Sequence, residues 1–135
     1  MSSKRTILDT SILITFWNKQ RGDRSWDQID ATDVQAWAEK LTSLRRSKRI
    51  VTPVYIEFIA GVTNGREMEL AREYLAAFDI IDEGHILDED WKHARRLASR
   101  IPRDRKPRQL GDCLVRAIAD RLRLDVDTLD SSFPV

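Results

Sequence analysis

Short β-rich apolar runs alternate with helical periodicities along this chain, and that alternation restricts the fold more than any other feature. Thr6-Ile-Leu8, Ile50-Val-Thr52, Phe78-Asp-Ile-Ile-Asp82 and Leu124-Asp-Val-Asp127 read as strands. Ser11 can cap a helix through Ile12 to Trp17. Val34, Trp37, Ala38, Leu41 and Leu44 share one helical face, and Arg45 to Arg49 place positive charge at that helix's end. Thr52 as N-cap with Pro53 at the first helical position opens a helix running to about Val62. Glu67 to Ala77 is amphipathic, with Leu70, Ala71, Tyr74, Leu75 and Phe78 inward. Asp88 opens a helix striped by Trp91, Ala94, Leu97, Ala98 and Ile101, and Leu110 to Leu122 forms the last long helix. Residues 18–33 and 102–107 are polar and read as loops. Strands alternating with helices predict an α/β fold, a parallel sheet with helices on both faces.

Composition narrows the class. The 135 residues suit a single domain, 1–135, and an apolar fraction of 41% can fill one core. With a net charge of +1, no global basic field points to nucleic acid, so such binding would have to come from local patches. Cys113 is the single cysteine, which rules out an internal disulfide and a cysteine-built zinc site. No apolar run is long enough to span a bilayer, and Met1-Ser-Ser-Lys-Arg5 has no apolar signal region. The expectation is a cytoplasmic protein without membrane contact.

Four acids stand where such a fold can gather them. Asp9 follows the first strand, Glu57 interrupts Val54-Tyr-Ile-Glu-Phe-Ile59, Asp112 lies near the start of the last helix, and Asp130 follows the last strand. Ligand sites of open parallel sheets lie beyond the strands' carboxyl ends. Each acid also has a plain structural reading. Asp9 can begin a turn, Asp112 can sit on a helix dipole, Glu57 can face solvent, and Asp130 can cap a turn, with Asp127 competing for its place. Gathered together, carboxylates repel unless a divalent cation offsets them, and all-oxygen ligands select Mg²⁺ or Mn²⁺ over thiophilic metals. Thr10, Ser11 and Thr128 can hydrogen-bond those carboxylates. Arg95, Arg96, Arg100, Arg103, Arg105, Lys106 and Arg108 form a basic stretch leading to Asp112; it is either a solvated helix end and loop or a phosphate-tracking edge. Trp26, in a polar stretch, is the tryptophan expected to be exposed, while Trp37 and Trp91 are expected in the core. His85 and His93 have no partner at metal-ligand or triad spacing.

Four segments resemble the PIN-domain family, and within it the VapC toxins of VapBC toxin–antitoxin pairs: Ile7-Leu-Asp-Thr-Ser-Ile-Leu-Ile14, Thr52-Pro-Val-Tyr-Ile-Glu-Phe58, Leu110-Gly-Asp-Cys-Leu-Val-Arg-Ala-Ile-Ala119 and Thr128-Leu-Asp-Ser-Ser-Phe133. Their order and spacing, over nearly the whole chain, carry the resemblance. Ser132 stands where the family often has a second Asp.

The resemblance implies a three-layer α/β/α fold with a central, mostly parallel sheet of four or five strands. It implies a metal-dependent endoribonuclease, the toxin of a type II pair, with Asp9, Glu57, Asp112 and Asp130 as catalytic metal ligands for Mg²⁺, replaceable by Mn²⁺. It further implies RNA as substrate, with Arg103, Arg105, Lys106 and Arg108 as candidate contacts. Products would carry 5′-phosphate and 3′-hydroxyl ends, cut by a metal-activated water. Expected partners are a second copy of the chain and a small antitoxin, with DNA reached only through the antitoxin. The alternatives are a PIN nuclease of RNA maturation or of DNA, and a non-catalytic PIN-like scaffold.

Overall fold

The computed structural model describes residues 5–100, 110–131 and 133–134. Strand β1 (Thr6–Leu8) leads into α1 (Thr10–Arg21), a short 3-10 turn (Trp26–Gln28) and α2 (Ala31–Arg45). Next come β2 (Arg49–Ile50), α3 (Thr52–Ala60), α4 (Gly65–Leu75), β3 (Asp79–Ile80), α5 (Asp88–Ala98), α6 (Leu110–Leu122) and β4 (Asp125–Asp127).

The strands form two parallel ladders. β1 pairs with β4 in the register Thr6↔Asp125, Ile7↔Val126 and Leu8↔Asp127, and β2 pairs with β3 through Arg49↔Asp79 and Ile50↔Ile80. β1 lies beside β2, and Ser47 joins them. Its hydroxyl donates to the Thr6 carbonyl at 2.7 Å and accepts from the Arg49 N–H at 3.2 Å. All of β1 is buried, as helix-covered parallel strands are, whereas β3 is an exposed edge. Among the described residues there are four strands.

Residues 18–33 are not the loop their polarity suggests. α1 runs on to Arg21, and the Ser25 N–H donates to the Gln28 side chain at 3.0 Å to close the 3-10 turn. Asp30 and Asp33 cap each other's N–H at 3.0 and 2.9 Å and start α2 early. Trp26 is therefore no exposed contact. It is 6% exposed, stacks on Trp17 at 5.1 Å, and carries the Arg21 guanidinium 4.2 Å from its ring centroid. Around Trp17 also gather Trp37, Phe58 and Tyr74, so one aromatic cluster joins α1, α2, α3 and α4. Trp26→Ala is expected to cost about 3 kcal/mol in urea unfolding, as buried aromatic truncations do. A loss under about 0.5 kcal/mol, the range of surface changes, would return Trp26 to the surface.

Two stripe assignments also change. Trp91 is 52% exposed and Leu44 is 63% exposed. α5 buries Asp90, Ala94 and Leu97, spaced i, i+4, i+7, and the helix it packs on covers no wider arc. Helix starts differ as well. Asp9, not Ser11, is the residue preceding α1, and Val51 rather than Thr52 precedes α3. Thr52 gives its N–H and hydroxyl to the buried carboxylate of Asp82, the hydroxyl at 2.8 Å, so a distant acid satisfies this helix end.

Candidate metal centre

β1 delivers Asp9 at its carboxyl end, where the Asp9 N–H extends the β1–β4 ladder by donating to the Asp127 carbonyl at 2.9 Å. The side chain is then enclosed by α1 and the segment after β4, and the residue is 2% exposed. Its Oδ2 accepts from the Ser11 hydroxyl at 2.9 Å and from Thr128 at 2.8 Å. Its Oδ1 is buried with no hydrogen-bond partner among the described residues. A carboxylate oxygen removed from water and left without a donor carries a desolvation penalty that a cation would remove.

α3 brings Glu57 to the same place. The Asp82 clamp fixes the start of the helix, and just over a turn later Glu57 Oε1 accepts from the Thr10 hydroxyl at 2.7 Å. α6 contributes Asp112 in its first turn. The preceding residue, Gly111, lies against Glu57: a methyl group there would be in ordinary van der Waals contact, 3.5 Å from the Glu57 carboxyl carbon. Oxygens of Asp9, Glu57 and Asp112 all lie within 4.8 Å of one another. Burial, and then the charges of Asp9, Glu57 and Asp130, push the Asp112 carboxyl from its ordinary 3.8 up to about 7. The group can hold one hard divalent cation, because every donor is an oxygen and the negative charge is in excess.

Asp130 stands outside that 4.8 Å group, although its charge reaches Asp112. Its N–H donates to the Thr128 hydroxyl at 3.0 Å, the same hydroxyl that holds Asp9. Asp127, the competing acid, faces Arg45 at 3.3 Å instead. Thr10, Ser11 and Thr128 thus all end on the acidic group or on each other, with Ser11 and Thr128 3.1 Å apart.

The remaining candidates lie elsewhere. Arg103, Arg105, Lys106 and Arg108 are outside the described residues. Arg95, Arg96 and Arg100 are exposed at the end of α5. His93 lies between Asp120 at 2.8 Å and Arg96 at 3.3 Å on the α5–α6 face, away from the acids. Cys113 is buried, and burial with the neighbouring Asp112 charge raises its thiol pKa. One residue that supports the site carries no signal in the local sequence, Asp82. Asp82 acts from the turn after β3, 30 positions from Thr52, so it leaves no local pattern.

The sequence model of the PIN domain family matches residues 6–135. The chain belongs to the PIN domain family. No curated protein and no solved structure matches it. As a PIN domain it has the three-layer α/β/α fold, and its two parallel ladders are the middle layer. PIN domains are generally metal-dependent nucleases, and the acidic group of this one can bind a divalent metal. Among the described residues, no helix is long and apolar enough to cross a membrane.

Proposed function

We propose that this PIN domain is a Mg²⁺-dependent endoribonuclease acting as the toxin of a type II toxin–antitoxin pair. The observation that carries the nuclease reading is the Asp9 carboxylate, whose Oδ1 is buried with no hydrogen-bond partner among the described residues and one oxygen of which lies within 4.8 Å of carboxylate oxygens from Glu57 and Asp112. Asp9, Glu57 and Asp112 would hold the ion, with Asp130 at the border. When bound, Mg²⁺ (or Mn²⁺) offsets carboxylate and phosphate charge and lowers the pKa of a water molecule. The hydroxyls of Ser11 and Thr128 fix Asp9 Oδ2, which leaves Oδ1 as the oxygen for the ion. Thr10 orients Glu57 in the same way. The Asp112 carboxyl, with its raised pKa, gives up a proton when the site loads.

RNA as substrate, a homodimer and a small antitoxin that blocks the site rest on the resemblance to VapC toxins. The exposed cations Arg95, Arg96 and Arg100, which precede the basic 101–109 stretch, are consistent with a phosphate-bearing substrate. DNA would be reached only through the antitoxin, and the complex would work in the cytoplasm.

The test pairs toxicity with RNA ends. Induced expression should arrest growth, co-expression of the adjacent small gene should restore it, and new RNA ends bearing 5′-phosphate should accumulate. Glu57→Gln should lose both the arrest and the new ends. Arrest by Glu57→Gln as strong as by the parent would mean that the protein acts by binding rather than cutting, and the scaffold reading would replace this one.

A further inference from the structure

Arg116 lies one turn after Asp112 on α6, and its side chain points at the end of the chain rather than at the acids. Its Nε donates to the Pro134 carbonyl at 2.8 Å, and its guanidinium sits 5.5 Å from the centroid of the Phe133 ring. Asp120, 3.8 Å away, steadies it from the next turn of the helix. The side chain is only 17% exposed, and Phe133 is part of the buried core. The turn between these anchors carries Asp130. The Phe133 N–H donates to the Asp130 carbonyl at 3.1 Å, and the Asp130 N–H donates to Thr128, which bonds Asp9. Thr128 and Pro134, on either side of Asp130, are therefore each pinned, Thr128 by Asp9 and Pro134 by Arg116.

We propose that Arg116 is a positioning residue, which ties the C-terminal segment to α6 and so holds Asp130 at the border of the Asp9–Glu57–Asp112 group as its fourth acid. The proposal rests on the metal-site reading above. It assigns Arg116 a sign opposite to that of its charge. A cation one turn from Asp112 repels a divalent ion, so by Coulomb's law alone its removal should tighten metal binding. As a tether, its removal loosens Asp130 and weakens binding. Lysine cannot replace it, because an ammonium lacks the planar fork that meets a carbonyl and a ring face together.

Mn²⁺ binding to the full chain by calorimetry separates these cases. Arg116→Met and Arg116→Lys should each weaken Mn²⁺ binding about tenfold, the lower end of the effect of lost supporting contacts around a metal site. Asp130→Asn should weaken it similarly, and adding Arg116→Met to Asp130→Asn should cause no further loss, because both changes remove one interaction. In the metal-free protein, hydrogen exchange at the Phe133 amide should speed up in both Arg116 variants. Should the Met variant fail to fold, the Lys variant carries the test. Unchanged or tighter Mn²⁺ binding, additive losses with Asp130→Asn, or unaltered exchange at Phe133 would each overturn the proposal. Asp9→Asn serves as control. If it binds Mn²⁺ like the parent, the metal-site reading fails and the role of Arg116 falls with it; if it does not, a failure among the Arg116 variants counts against the tether alone.

Discussion

Asp9→Asn is expected to fold normally, to lose its affinity for Mg²⁺ and Mn²⁺, and to cleave RNA slower by on the order of 10³-fold. That figure corresponds to losing several kcal/mol of metal-borne charge stabilisation, at a factor of ten for roughly each 1.4 kcal/mol. The fold should survive for a specific reason. Asp9 is 2% exposed, its Oδ1 has no donor, and it faces Glu57 and Asp112. Asparagine keeps the shape, retains an oxygen for the Ser11 and Thr128 hydroxyls, and presents an NH₂ to the neighbouring carboxylates. In metal-free buffer the variant should therefore melt at least as high as the parent, while the gain in melting temperature on adding Mg²⁺ should disappear. Calorimetric melts with and without Mg²⁺, alongside cleavage of a labelled RNA, provide the check. Parent-like cleavage would remove Asp9 from the centre of the site.

The second large effect is a reversal of the pH dependence of stability by metal. In the metal-free protein the Asp112 carboxyl sits near 7 against its ordinary 3.8, so the folded state binds more protons than the unfolded state between those values. Stability must then fall as pH rises across that window, contrary to a salt-bridged acid. Because the four acids interact, the midpoint belongs to the cluster rather than to Asp112 alone. Metal binding has the opposite slope. It competes with that proton, so affinity should rise up to about tenfold per pH unit below the midpoint and level off above it. At a Mg²⁺ concentration about a hundred times its Kd, binding adds roughly 2.7 kcal/mol of stability. Melting temperature against pH should thus slope downward without metal and flatten or rise with it. Calorimetry in two buffers of different ionisation heat should detect proton release at pH 6 and little at pH 8. Parallel pH profiles with and without Mg²⁺ would show that the acids do not form a metal-coupled cluster.

The order of elements could be read from the chain because each rests on local periodicity. The run Thr6-Ile-Leu8 buries completely, and Leu70, Ala71, Tyr74 and Leu75 all face inward on α4. The acids could be found because their settings are local too: the end of a strand, an apolar helix, a helix start. Residues 18–33 were misread although their turn chemistry is present in the sequence. Ser25 with Gln28 and Asp30 with Asp33 are spaced as capping pairs, but the polarity of the stretch hid Trp26 and Ile29, both of which bury. Trp91 and Leu44 failed in the other direction. An apolar position tells which side of its own helix it occupies, not whether a neighbour covers that side.

By itself, then, the sequence determined the alternation of strands and helices, the family, and the residue types able to bind a hard cation. Only the tertiary structure decided the state of those residues. Thr10 reaches Glu57 across 47 positions, and Thr128 reaches Asp9 across 119. Asp82 anchors the helix that carries Glu57, Arg116 reaches Pro134, and three carboxylates converge until one oxygen has no donor and one carboxyl holds its proton near neutrality. The physical reason is that desolvation and Coulomb repulsion depend on distances through space, which a linear pattern of residue types does not contain.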